Sequence, residues 1–270
     1  MSEAVQVTSN KRTSLRLRLS PRLSRIAASV VSILCGLFVW DMLSRYSSPL
    51  FLPSPATTWD AAKELLADGT LVASVLASSA RIACGWALGV AVGIPLGIVM
   101  GRFAPIRQFL DPYIEFFRFI PPIAFVTLAV IWLGPGEQAK VALIFYTTVF
   151  IVTLNTIAGV QAVNPLRLRA AASLGAGPLQ MLLTVILPST VPFMVTGARI
   201  AMGNSFLTVV SAEIVSADNG LGALIWTARN FARTEWVFVG ILALGMLGYL
   251  FDRVLRIAVS LLLKRYQPTT

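Results

Sequence analysis

The sequence predicts an all-α fold, a polytopic membrane protein crossing a bilayer about six times. Three observations carry that expectation. The 270 residues are 56% hydrophobic and only 13% charged, too little polar surface to coat a soluble domain of this size. Apolar runs of about twenty residues recur, each long enough as a helix to cross a hydrocarbon core of about 30 Å. The basic residues gather beside alternate runs, as the positive-inside bias requires. The runs are 26–45, 75–100, 112–133, 140–160, 192–215 and 237–263. They divide the chain into a basic tail 1–25, a membrane domain 26–265 holding a cytosolic loop 164–188 between spans four and five, and a C-terminal tail 266–270.

A net charge of +10 invites a nucleic-acid reading, and its placement argues against one. Lys11, Arg12, Arg16, Arg18, Arg22 and Arg25 precede the first span, and Arg102 and Arg107 follow the second. Arg167 and Arg169 follow the fourth, and Lys264 and Arg265 the sixth. With six alternating spans all of these fall on one side, which puts both termini in the cytosol. The other side holds Asp60, Glu64, Asp68, Asp218 and Glu235, with Arg229 and Arg233 against the trend. No small-x-small cleavage site follows the first apolar run, and Leu34 before Cys35 fits a lipoprotein site poorly, so the first span is expected to stay as an anchor. Cys35 and Cys84 lie inside apolar spans and are expected as buried packing residues.

The elements follow in order. After the first span comes a proline-broken stretch, 48–55, and then a short amphipathic helix capped by Thr57 or Thr58 and ending near Asp68-Gly69. The second span carries Gly85, Gly89, Gly93, Gly97 and Gly101, a spacing that lets helix backbones approach closely in lipid. A period of four drifts by about 40° per step round a helix of 3.6 residues per turn, so the stripe is expected to wind past more than one neighbour, with a kink at Pro95. In the third span Arg118-Phe119-Ile120-Pro121-Pro122 leaves two readings open. The prolines break the helix as a hinge beside a water-lined path, or they open a helix that starts there. Leu133-Gly134-Pro135-Gly136 is a turn. Asn164 can cap a helix with Pro165 at its first position. Residues 167–174 then make one short helix, Gly175 a left-handed turn, and 178–186 a second short helix stopped near Pro188. Gly220-Leu221-Gly222, between the last two spans, is expected as a tight turn.

Arg169-Ala170-Ala171, Gly175 and Val185-Ile186-Leu187-Pro188 together resemble the coupling loop of bacterial ABC-importer permeases. The pattern there is Glu-Ala-Ala, three residues, Gly, nine residues, Ile-x-Leu-Pro; here Arg169 stands at the Glu position and Val185 at the first Ile. Leu52-Pro53-Ser54-Pro55, Arg118-x-Ile120-Pro121-Pro122-x-Ala124, Ile131-Trp132-Leu133-Gly134, Asn155-Thr156-x-x-Gly159-Val160, Ala212-Glu213 and Gly220-Leu221-Gly222 extend the likeness to the subgroup for nitrate, taurine, alkanesulfonates and bicarbonate. The resemblance implies a permease in the bacterial cytoplasmic membrane, working as a homodimer with two cytosolic ATPase subunits and an extracytoplasmic solute-binding protein. Its coupling residues would be Arg167, Arg169, Ala170, Ala171, Leu174, Gly175, Ala176 and Pro188. ATP and Mg would bind the ATPase: this chain has no phosphate loop of the Gly-x-x-x-x-Gly-Lys-Ser/Thr form and is expected to be no enzyme and to carry no cofactor. Arg169 either meets a compensating acidic partner or is merely solvated.

Charges inside the spans come next. An anionic solute would favour a cation along its path, which makes Arg118 and Arg199 pathway candidates beside Pro121, Pro122 and Glu213; alternatively Arg and Glu pair to fix helix packing. Arg81 and Asp252 are read as snorkelling to an interface. Trp132 and Trp236 are read as belt residues, and Trp226 and the Phe231 region as facing the binding protein. The chain has no histidine, which excludes histidine-assisted catalysis, histidine metal ligation and a histidine proton relay. The remaining alternatives are a carrier driven by an ion gradient, with Glu213 or Asp252 in its path, an intramembrane enzyme, for which no nucleophile and base cluster, and a passive channel, which the loop argues against.

Overall fold

The computed structural model describes residues 21–216 and 218–262. The basic residues 11–18, Lys264, Arg265 and the tail 266–270 lie outside the described residues. The helices are α1 (Pro21–Arg45), α2 (Pro55–Ala67), α3 (Thr70–Arg102), α4 (Ala104–Arg118), α5 (Pro122–Leu133), α6 (Glu137–Gln161), α7 (Pro165–Ser173) and α8 (Pro178–Met181). A π-helical turn, Leu182–Ile186, leads into α9 (Leu187–Ser216), and α10 (Leu221–Asn230) and α11 (Thr234–Leu262) complete the chain. Among the described residues five helical runs are long and apolar enough to cross a membrane, and a sixth if the bent pair α4 and α5 counts as one.

The centre is α3 against α6 against α9. Cβ atoms added at Gly85, Gly89, Gly93, Gly97 and Gly101 would stand 2.6, 2.5, 2.9, 2.5 and 2.6 Å from the Cβ atoms of Ile144, Thr148, Val152, Thr156 and Val160. The whole ladder therefore meets one neighbour, α6, and not several as its drift suggested. The partner positions also advance by four and in the same direction. Both stripes drift together, and two parallel helices that wrap round each other stay in contact throughout. Gly159 then receives Thr190 and Phe193 of α9, and Gly197 receives Asn155 of α6. α3 continues through Pro95.

Two local expectations change, and one left open is settled. α2 is capped by Ser54, whose Oγ accepts from the Thr57 amide at 3.1 Å, because Pro55 suits the first helical position and starts the helix ahead of Thr57. The third span is broken: α4 and α5 meet at 99°. Pro121 caps α5 and Pro122 is its first residue, so the chain breaks inside the span and the prolines also open a helix. Each proline disfavours helical geometry at the residue before it. The Tyr146 hydroxyl donates to the carbonyl of Phe117 and, at 3.4 Å, to that of Ile120. The second short helix does not stop at Pro188. α8, the π-turn and α9 run on through Pro188 and Pro192, since the wider π-turn falls just where Pro188 cannot donate to the preceding turn.

Cys35 and Cys84 are exposed, not buried; on spanning helices such surfaces meet lipid or another subunit. No α1 residue is buried among those described. Its anchor is Trp40, which donates to the Pro53 carbonyl at 2.9 Å and stacks on Phe238 of α11.

Candidate functional site

Residues 164–188 build a stiff projection. Asn164 Oδ1 accepts from the Leu166 amide at 2.8 Å, and Pro165 opens α7. At the other end Gly175 takes φ +81°. The Gly175 amide donates to the Ala172 carbonyl at 3.0 Å and the Ala176 amide to that of Ala171 at 3.1 Å. This pair of bonds is the Schellman closure, which needs a residue with positive φ where Gly175 stands. α7 buries none of its side chains. It is held through Leu168, packed against buried Val160, Val163 and Ile186 at the ends of the flanking helices. Arg167, Arg169, Ala170, Leu174 and Gly175 are exposed, while Ala171, Ala176 and Pro188 are half-buried. Leu174 is 88% exposed, an apolar side chain offered at the tip. Arg169 has no ion pair among the described residues.

A cavity of about 480 Å³ lies where the α4–α5 elbow faces α6 and α9. Arg118, Pro121 and Pro122 line it together with Tyr146, Asn204 and Ser211. The Arg118 guanidinium lies over the Phe119 ring, 4.5 Å from its centroid, and has no carboxylate partner among the described residues. A second cavity, of about 410 Å³, lies against the rest of the polar strip of α4, with Arg107, Asp111 and Glu115, and shares Leu154 with the first. The aromatic side chains of α4, Phe109, Tyr113 and Phe116, are exposed on its other face. Sequence reasoning passed over Tyr146, Asn204, Thr208 and Ser211. The signal available was the polar spacing of 204, 208 and 211, four and then three apart, within an apolar helix.

The other two pathway candidates lie away from this cavity. Glu213 is buried with its carboxylate saturated: Ser78 Oγ and Arg81 Nη1 donate to Oε1 at 2.8 and 2.7 Å, and the Gly222 amide to Oε2 at 2.8 Å. Arg81 does not snorkel. It is 2% exposed and spans Glu213, Glu137 (2.5 Å) and the Asn219 carbonyl (2.8 Å). A guanidinium satisfied by two carboxylates is cheaper to bury than one alone. This node tethers Gly220-Leu221-Gly222, which opens α10 instead of forming an isolated turn; Gly220 sits at φ +122° with the Glu213 carboxylate where a Cβ would go. Arg199 pairs with Asp252 of α11 at 2.9 Å, and Asp252 also receives Arg256 at 2.6 Å. Trp132 is exposed, whereas Trp236 packs into the core formed by α2, α10 and α11 beneath Arg233. Trp226 and Phe231 are both exposed.

Residues 93–267 match the family model described as the binding-protein-dependent transport system inner membrane component. The taurine transport system permease protein TauC of Escherichia coli is 38% identical over 251 residues, covering 90% of this chain and 91% of that one. The bicarbonate transport system permease protein CmpB of Synechococcus elongatus is 31% identical, covering 86% and 87%. Among solved structures, the inward-facing MetNI methionine ABC transporter aligns with a TM-score of 0.59 at 18% identity, over 70% of this chain and 95% of that one, a likeness of fold.

Proposed function

Because the chain belongs to the binding-protein-dependent transport system inner membrane components, we propose that it carries a small oxyanion, of the sulfonate or bicarbonate kind, and is driven through α7 by separate ATPase subunits. It is a multi-pass membrane permease subunit of an ABC importer for small solutes. The finer reading rests on α7: a short helix locked at both ends, packed through Leu168 on the end of α6 and on the π-turn that leads into α9, and apolar at its exposed tip. Such a body transmits a push without deforming. Two ATPases closing on ATP and Mg would draw two such knobs together, and the helices fixed to them would rotate as rigid bodies.

The solute class is supported by Arg118, a cation without a carboxylate partner among the described residues, in a largely apolar cavity that also holds the hydroxyls of Tyr146, Thr208 and Ser211 and the amide of Asn204. TauC and CmpB carry in their names taurine and bicarbonate, both small and oxyanionic. Pro121 and Pro122 at the elbow are the hinge beside it. Arg199 and Glu213, held in ion pairs elsewhere, are left out of the path. Two copies facing each other across this cavity make the channel, with a solute-binding protein delivering on the side of α2 and α10. Both termini and α7 then lie in the cytosol.

The test is reconstitution with the cognate ATPase and binding protein and uptake of labelled taurine, an alkanesulfonate or bicarbonate. ATP-dependent uptake that falls at least about tenfold in Arg118→Ala, at unchanged ATPase stimulation, is expected if one charged hydrogen bond of about 1.5–3 kcal/mol is lost. Uptake driven by an ion gradient with no ATPase present contradicts the reading.

A further inference from the structure

The face of α9 turned away from the central cavity meets α11 along a groove of about 380 Å³. Its floor is open. A Cβ added at Gly203 or Gly245 meets nothing within 4 Å, and one at Gly248 only grazes the Phe206 ring at 4.0 Å. Its walls are apolar, with Met202, Phe206 and Leu244 along it and Tyr249 exposed at its edge. One end of the groove is cationic. Arg199 and Arg256 share Asp252, and Arg253 donates to the Tyr249 hydroxyl at 2.9 Å. Asp252 occupies the Nε and Nη2 of Arg199 and the Nε of Arg256. A guanidinium carries five N–H donors, so both arginines keep donors to spare while one carboxylate fixes where they sit.

The depth of that end follows from helix length. About twenty helical residues cross a hydrocarbon core of about 30 Å. Counted from Thr234, the first residue of α11, they end at Arg253; counted back from Val215, near the far end of α9, they end at Thr196. On this count Arg253 and Arg256 stand at or just beyond the end of the core on the α7 side, and Arg199 lies about one helical turn inside it, within reach of the headgroups by its long side chain. The open glycine floor runs from there toward the bilayer centre. Charge above and an acyl-sized trough below fit one occupant.

We propose that this groove binds an anionic phospholipid, its phosphate held by Arg199, Arg253 and Arg256 and an acyl chain lying over Gly203 and Gly245. Asp252 is the positioning residue. Basic pockets between helices at headgroup depth attract such lipids, and the open floor adds a shape requirement that scattered interfacial arginines would lack.

The full-length protein is purified into micelles holding equimolar phosphatidylglycerol and phosphatidylcholine, and retained lipids are counted by native mass spectrometry. The wild type is expected to keep phosphatidylglycerol in preference, and Arg253→Gln with Arg256→Gln to lower that retention about fivefold for each arginine. Gly245→Leu leaves every charge in place and starts from a Cβ with nothing within 4 Å; it fills the trough, and is expected to release the lipid even if the arginine variant fails to fold. Equal retention of the two lipids by the wild type overturns the proposal. So does an unchanged preference in Gly245→Leu, or displacement of the lipid by millimolar inorganic phosphate, which would mark a phosphate site indifferent to the acyl chain.

Discussion

Glu213→Gln should be among the most damaging conservative changes in this chain. The carboxylate accepts from three separate donors, Ser78 Oγ, Arg81 Nη1 and the Gly222 amide, with all of them buried. An amide of the same shape offers one acceptor oxygen, and its NH2 must face Arg81 or the Gly222 amide, donor against donor. Removing one partner of a buried ion pair costs about 3–5 kcal/mol. Arg81 keeps Glu137, so the low end applies, about 3 kcal/mol, which in a chain of this size lowers the melting temperature by about 6–12 °C. Thermal melting of purified protein, followed by size-exclusion chromatography, reads this directly. The double variant Arg81→Met with Glu213→Leu should melt well above the level the two single changes would give if additive, because it removes the orphaned charge along with its partner. A Glu213→Gln melting temperature within about 2 °C of wild type, or strict additivity in the double variant, refutes the account of this node.

The α3–α6 seam makes a second prediction. Gly97→Ala puts a methyl 2.5 Å from Thr156 Cβ and 2.7 Å from the Thr153 carbonyl, and such overpacking should cost about 1–3 kcal/mol in the same melting assay, while Gly36→Ala, in open space, changes nothing. Gly175→Val forces a β-branched residue to φ +81°; a cost of about 1–2 kcal/mol loosens the end of α7, and ATPase stimulation should fall while the melting temperature of the membrane core holds. Arg169→Glu should leave ATPase co-purification unchanged, since a solvent-exposed ion pair contributes only about 0–1 kcal/mol.

Much of this architecture is legible in the residues because lipid leaves few options. Apolar length gives the spans, and Asn164-Pro165 and Gly175 give both ends of α7, since capping is local chemistry. The losses come where a partner decides. The ladder at 85–101 shows a close approach, but only the matching period of 144–160 on α6 reveals that one helix takes all of it. Arg81 near a span end reads as snorkelling until Glu137 and Glu213, distant in sequence, close round it. Pro188 reads as a stop, because a π-turn that absorbs a proline has no signature in composition. The cavity is half legible: Arg118 and the two prolines stand out, and the polar spacing of Asn204, Thr208 and Ser211 marks a face of α9, whereas Tyr146 on α6 carries no sign of facing them until the elbow closes the site.

Force transfer through α7 is tested most directly by cross-linking. In a chain with Cys35 and Cys84 changed to serine, a single cysteine is placed at Leu174 on the tip of α7, or at Leu50, which is exposed in the loop joining α1 to α2 at the other end of the molecule. The complex is assembled with its ATPase and treated with a short bifunctional maleimide. The account predicts a permease–ATPase adduct from Leu174→Cys, its yield changing with nucleotide, and none from Leu50→Cys. An adduct from Leu50→Cys alone, or none from Leu174→Cys in a complex that still hydrolyses ATP in response to binding protein, contradicts it.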